Sequence, residues 1–282
     1  MNYLEICFCL SESAGDYLAD LLKNELLSLG FESFMDNDDG SFCGYITKRD
    51  FDEKKLKNLL SCSDFFNKDM VGYNIRELED RNWNEKWEEN SPSVLFGNFC
   101  HIRKETQPYK EVRYDIIINP KQSFGTANHP TTAMIIEYLR SIEKDIKGKN
   151  VLDMGCGTAV LGILCKKMGA EYVQAIDIDD WAYRNAKENA LKNDLDMDIR
   201  MGSSEAINKN VKFDIILANI NLNCLLENMI YFVDCLKDNG FLILSGFYEN
   251  DIKELVEKTK RYNLTFYYKS VKQSWALVVL KG

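Results

Sequence analysis

Histidine is nearly absent from this chain: 282 residues carry two, His101 and His129. Nine cysteines are present, but no two stand in a C-x-x-C pair, so a zinc site has little to be built from. They read as buried or free thiols of a reducing compartment. Positive charge is short as well, with 35 Lys and Arg against 44 Asp and Glu and a formal charge of -9. That balance argues against a broad phosphate-binding face, and so against nucleic acid as substrate, while permitting attraction to a basic protein. No apolar run approaches the roughly 20 residues that a membrane-crossing helix needs. Met1-Asn2-Tyr3-Leu4-Glu5 has no basic stretch leading into an apolar one. A soluble, cytoplasmic, metal-free protein with no membrane partner is the expectation.

What the chain does have is a centre of organisation between Asn150 and Asp180. Val151-Leu152-Asp153-Met154 reads as a buried strand, Gly155-Cys156-Gly157-Thr158-Ala159 as a tight turn, the next residues as a helix, and Val173 to Asp177 as a second strand ending in an acid. Glycines let backbone approach a ligand closely, and an acid about 20 residues beyond the turn suits ribose hydroxyls, so the stretch describes a nucleoside site. The dinucleotide fingerprint fails, because its third glycine position holds Val160. Asp153, just before the turn, suits a cationic ligand better than a diphosphate. S-adenosylmethionine carries a sulfonium and an amino group and no phosphate, and Asp-x-Gly-x-Gly is similar to motif I of class I methyltransferases.

Ahead of this centre, strand and helix patterns run in the order β-α-β-β-α over residues 3 to 60, with a weakly marked strand near Asp64 to Lys68 completing a ferredoxin-like α+β unit. Residues 69–110 read as a charged linker whose short helix carries Trp83 and Trp87 on one face as anchors. The alternation of Val94, Phe96, Phe99 and Ile102 suggests a hairpin, and Tyr114 to Ile118 a further strand. The loop Ser123 to Thr132 then meets a helix, with Pro130, Thr131 and Thr132 at its start, a place for holding polar ligand groups or for capping the helix itself. Beyond Asp177 strands and helices alternate as in a doubly wound sheet. Asn219 stands at the carboxyl end of the strand Phe213 to Ala218, where such sheets place ligands. Two β-rich runs at the end form a terminal antiparallel hairpin.

The set Phe124-Gly125-Thr126, His129-Pro130-Thr131-Thr132, Val151 to Thr158, Ala175-Ile176-Asp177-Ile178-Asp179 and Ala218-Asn219-Ile220, with Asn82 to Glu88 in the linker, resembles the PrmA-type methyltransferases of ribosomal protein L11. The resemblance implies an α/β fold: a class I methyltransferase Rossmann-like doubly wound sheet over residues 111–282, behind a substrate-recognition domain at 1–68. It implies transfer of methyl groups from S-adenosylmethionine to lysine side-chain and N-terminal amines of that ribosomal protein, by a monomer. By motif position the cofactor-binding residues would be Thr132, Gly155, Asp177 and Asn219; no catalytic base can be named. Two positions depart from the family, Ala127 and Ala159, where glycine is usual; alanine there is tolerable at negative φ and costly at positive φ. Planar-nitrogen methyltransferases resemble Asn-Pro-Pro-Tyr at the position of Asn219, and Ile220-Asn221-Leu222 lacks it, which points to a tetrahedral amine. The alternatives are a small-molecule amine methyltransferase and a non-catalytic S-adenosylmethionine-binding module.

Overall fold

A computed structural model of the chain describes residues 3–10, 16–37, 40–62, 70–77, 92–120, 125 and 127–282. The chain divides into two compact units, Met1–Trp83 and Asn84–Gly282.

In the first unit, β1 (Tyr3–Leu10) alternates sharply. Leu4, Ile6 and Phe8 are buried while Glu5, Cys7 and Cys9 take the other face. The unit continues with α1 (Asp16–Ser28), β2 (Ser33–Asp36), β3 (Phe42–Thr47), α2 (Glu53–Cys62) and β4 (Val71–Glu77). The sheet order is β2-β3-β1-β4 with every pairing antiparallel, the ferredoxin-like arrangement. One apolar core forms where Leu22 and Leu26 of α1 and Leu56 and Leu60 of α2 meet the buried faces of β1 and β3. Phe8 and Phe42 stack in it at 5.1 Å.

Two expectations are corrected here. A strand lies at Val71–Glu77, inside the stretch read as linker, while Asp64 to Lys68 fall outside the described residues, as do Trp83 and Trp87. Val71, Tyr73 and Ile75 turn to the core and alternate with exposed Gly72, Asn74 and Arg76, a period of two that the charged flanks of the stretch obscure. Cys7 and Cys43 are not free thiols. They face each other directly across β1 and β3 and are joined in a disulfide.

The second unit opens with β5 (Val94–Phe96) and β6 (Cys100–Arg103), the expected hairpin, and β7 (Tyr114–Ile117) joins β6 in parallel to make a small three-stranded sheet. Helix α3 (Pro130–Ser141) leads to the main sheet, built from β8 (Asn150–Met154), β9 (Tyr172–Asp177), β10 (Asp198–Met201), β11 (Phe213–Asn219), β12 (Leu236–Tyr248), β13 (Thr265–Lys272) and β14 (Trp275–Lys281). Between these strands run α4 (Val160–Lys167), α5 (Asp180–Lys192), α6 (Leu222–Cys235) and α7 (Ile252–Thr259). The strand order is β10-β9-β8-β11-β12-β14-β13. The first five are parallel, and β14 inserts antiparallel between β12 and β13. This is the class I methyltransferase pattern of a doubly wound sheet closed by an antiparallel pair. The central strands are apolar on both faces because helices cover both. Val151 and Ile215 pack into one core and Leu152 and Ile216 into the other.

Candidate functional site

Open α/β sheets bind ligands beyond the carboxyl ends of their strands, where the order reverses. Here that place lies between β8 and β11, and the residues singled out by the sequence gather around it. After β8 the chain bends at Gly155 (φ 68°) and Gly157 (φ 53°). Gly155 and Cys156 amides donate to the Ile176 carbonyl at 2.8 and 3.0 Å, tying the bend to β9. At the end of β9, Asp177 closes the arrangement. Its Oδ2 accepts from the Gly157 amide at 2.8 Å and its Oδ1 from the Asp179 amide at 3.0 Å.

Gly155 is obligatory twice over. Its φ lies in the left-handed region, and a Cβ placed there would stand 2.2 Å from Ile220 Cγ2. Gly246, at the end of β12 with φ 97°, makes room for the same residue: a Cβ there would be 2.4 Å from the Ile220 carbonyl oxygen. Ile220 is therefore wedged between two glycines at neighbouring strand ends, a contact no sequence period announces.

Asn219 sits beside this wedge. Its Nδ2 donates to Thr132 Oγ1 at 3.2 Å, while its Oδ1 is buried and has no partner. A buried acceptor left unpaired costs about 1–3 kcal/mol, and a ligand donor at this place would remove that cost. Thr132 is buried in the first turn of α3. The cap of α3 is His129 and not a threonine: its side chain accepts from the Thr131 amide, and Pro130 takes the first helical position. Burial lowers the His129 pKa, which favours the neutral ring that can accept at Nδ1. The ring meets Trp275 edge-on at 4.8 Å, and Trp275 stacks on Tyr248 at 4.4 Å, giving an aromatic column at the same sheet end.

Asp153 does not face the ligand space as its place in the motif suggested. It is 2% exposed, and its Oδ2 accepts from the Gly162 amide of α4 at 2.9 Å. Strand alternation is the reason: Asp153 shares a face with Val151, and that face packs on α4. Burial pushes its carboxyl up to about 7, and the nearby Asp177 adds to the rise.

Ala127 and Ala159 both have positive φ, 64° and 61°, the costly branch. Both residues belong to the apolar core, at 1% and 0% exposure. Left-handed backbone costs an L-residue about 1–2 kcal/mol, and a buried methyl returns about 0.8.

The sequence reading missed a row of buried asparagines on α5 and its cap, Asn185, Asn189 and Asn193, whose spacing of four was the available signal. Asn193 Oδ1 accepts from the Ile117 amide and its Nδ2 donates to the Ile117 carbonyl. Asn189 Oδ1 accepts from the Asn119 amide, and Asn185 Nδ2 donates to the Asn119 carbonyl. Asn189 Nδ2 also donates to the Thr158 carbonyl at 3.1 Å, and Thr158 Oγ1 donates to the Gly125 carbonyl at 2.7 Å.

Comparison with known proteins agrees with this geometry. The sequence pattern of the family described as ribosomal protein L11 methyltransferase (PrmA) matches residues 32–282. A protein of Phocaeicola vulgatus named ribosomal protein L11 methyltransferase is 37% identical over 282 residues, covering 99% of this chain and 98% of its own. One of the same name from Bacteroides thetaiotaomicron is 38% identical over 285 residues, covering 99% of each. Among solved structures, a ribosomal protein L11 methylase of Lactobacillus delbrueckii subsp. bulgaricus superposes with a TM-score of 0.59 at 26% identity, over 67% of this chain and 97% of that one.

Proposed function

The chain belongs to the ribosomal protein L11 methyltransferase family, and from that membership we propose that Thr132, Gly155, Asp177 and Asn219 hold S-adenosylmethionine while an amine of ribosomal protein L11 is presented to it. The family is one of S-adenosylmethionine-dependent protein methyltransferases, so the cofactor and the reaction class follow directly. The single observation that carries the residue assignment is the unpaired, buried Oδ1 of Asn219, at the strand end next to the glycine bend. When bound, S-adenosylmethionine supplies a methyl group on a positively charged sulfur.

The protein's own residues hold and orient. Asp177, with its carboxylate fixed by two backbone amides, has further lone pairs for the ribose hydroxyls. Gly155 makes room for Ile220, whose side chain packs directly against the bend, and its left-handed φ turns the chain towards the proposed nucleoside. Thr132 fixes the amide of Asn219 so that its Oδ1 points one way, ready for an ammonium or amine donor. The acceptor amine must be neutral to attack, and water keeps a lysine protonated. Ring faces of Trp275 and Tyr248 offer a surface of low polarity on which an amine loses hydration and its pKa falls. No side chain is assigned as general base.

We further read the first unit as the acceptor-recognition module. Among the described residues it buries one polar side chain, Thr47, and it carries no arrangement suited to the transfer chemistry. The charge of -9 fits a lysine-rich protein acceptor without nucleic acid, acting in the cytoplasm as a monomer. Among the described residues no helix is long and apolar enough to cross a membrane. Mass spectrometry of L11 incubated with the protein and S-adenosylmethionine tests the reading. Mass gains in whole methyl increments on lysines and the N-terminal amine are expected; an unmodified L11 beside intact cofactor would count against it.

A further inference from the structure

The asparagine row of α5 does more than cover a helix face. Buried side-chain amides are costly unless fully paired, and a row of three on one helix is an unusual use of core space. Together the three satisfy both backbone groups of two alternate residues of one segment: Asn193 takes the amide and carbonyl of Ile117, and Asn189 with Asn185 takes those of Asn119. Side chains here do what a neighbouring strand would do for the continuation of β7. That segment runs on towards Gly125 and the helix start bearing Thr132.

Asn189 alone among the three also touches the motif-I bend, donating to the Thr158 carbonyl. Thr158 in turn donates its hydroxyl to the Gly125 carbonyl, and a Cβ on Gly125 would stand 2.6 Å from that hydroxyl oxygen. The two loops that face the ligand space, one carrying Gly155 and the other leading to Thr132, are thus joined through one side chain and one hydroxyl. Neither Asn189 nor Thr158 is exposed, at 0% each.

We propose that Asn189 is a positioning residue for S-adenosylmethionine: through Asn119 and Thr158 it sets the spacing between the motif-I bend and the Gly125–Thr132 loop, while Asn193, equally engaged but remote from the bend, serves stability alone. The proposal rests on the reading of these two loops as the walls of the cofactor site. A shift of less than an ångström between paired walls is enough to misplace ligand contacts, whereas lost packing elsewhere on the helix is not.

The experiment compares full-length Asn189→Ala, Asn193→Ala and Thr158→Val by calorimetric binding of S-adenosylmethionine and by thermal unfolding. Both asparagine variants are expected to lower Tm. Asn189→Ala is expected to weaken cofactor binding about tenfold or more, as loss of paired buried hydrogen bonds implies, with Asn193→Ala within about twofold of the parent. Thr158→Val replaces the hydroxyl that reaches Gly125 with a methyl, which can neither donate nor sit 2.7 Å from that carbonyl, so it moves the two walls apart and weakens binding severalfold. Should Asn189→Ala not fold, Thr158→Val decides alone. A parent that binds and variants that all bind equally well, or two asparagine variants that lose affinity equally, would overturn the inference. A parent that does not bind S-adenosylmethionine would instead bring down the proposed site, and this inference with it.

Discussion

The two units of this chain are built on opposite principles. In the first, the described core is apolar: Phe8, Phe31, Phe42 and the leucines of two helices fill it, and Thr47 is the single buried polar side chain among the described residues. In the second, polar groups are buried repeatedly, and they concentrate near the carboxyl end of the parallel strands: Thr131, Thr132, Asp153, Thr158, Asn185 and Asn189. Burying such groups lowers stability unless each is paired, and their concentration falls at the end of the sheet where we propose the cofactor binds. An apolar module fixes a shape; a polar one fixes directions.

Four substitutions sharpen or break this contrast. The largest effect on cofactor binding is expected from Asp177→Ala, which removes an acceptor of two backbone amides along with the proposed ribose contacts. Charge-assisted hydrogen bonds contribute roughly 1.5–3 kcal/mol each, so cofactor affinity should fall about a hundredfold or more in a calorimetric titration. Next is Phe8→Ala in the first unit. It should cost about 3–5 kcal/mol of that unit's stability in denaturant unfolding and leave cofactor affinity at the parent value. A joint loss of both would mean that the two units are not built separately.

The third is Asp153→Asn, which keeps an oxygen to accept from the Gly162 amide. Burial holds the folded-state carboxyl near pKa 7, above its ordinary 3.8, so the parent's stability from this group is full below about pH 4 and is lost as pH rises through 7. The amide does not ionise. The gain in Tm of Asp153→Asn over the parent should therefore widen between pH 5 and pH 8 and stay level beyond; a gain independent of pH would contradict the buried-charge account. The smallest effect is Ala159→Gly. Relief of left-handed strain, about 1–2 kcal/mol, is opposed by the lost buried methyl and by the greater freedom of glycine in the unfolded chain, so the net change should stay within about 1 kcal/mol.

Much of this architecture was legible before any coordinates. Leucines at helical spacing marked α1, of which Leu22 and Leu26 are buried, and the alternation of Val94 and Phe96 marked a real hairpin. The glycine turn, Asp177, Thr132 and Asn219 do come together, because motif order in a doubly wound sheet fixes which strand ends are neighbours. Other features were beyond reach for definite reasons. β4 is a different case: Val71, Tyr73 and Ile75 alternate legibly, but the edge strand is short of fully buried residues and lies in a stretch whose charge reads as linker. The cross-strand partner of Cys7 depends on the register of β1 against β3, which no single strand encodes. The inward turn of Asp153 follows from strand parity, which the motif's linear order hides, and the sign of φ at Ala127 and Ala159 follows from loop closure. Ile220, with its side chain against Gly155 and its backbone against Gly246, belongs to the same class: three distant segments meet at one residue.

The account's central claim is that the open end of the β8–β11 pair is shaped for a sulfonium nucleoside, and a crystal soaked with S-adenosylmethionine tests it most directly. The ribose hydroxyls are predicted on Asp177 and a nitrogen donor on the now unpaired Oδ1 of Asn219, with the bend at Gly155 unchanged. Density for the nucleoside elsewhere on the molecule, or an Asn219 Oδ1 still without a donor when it is bound, would contradict it.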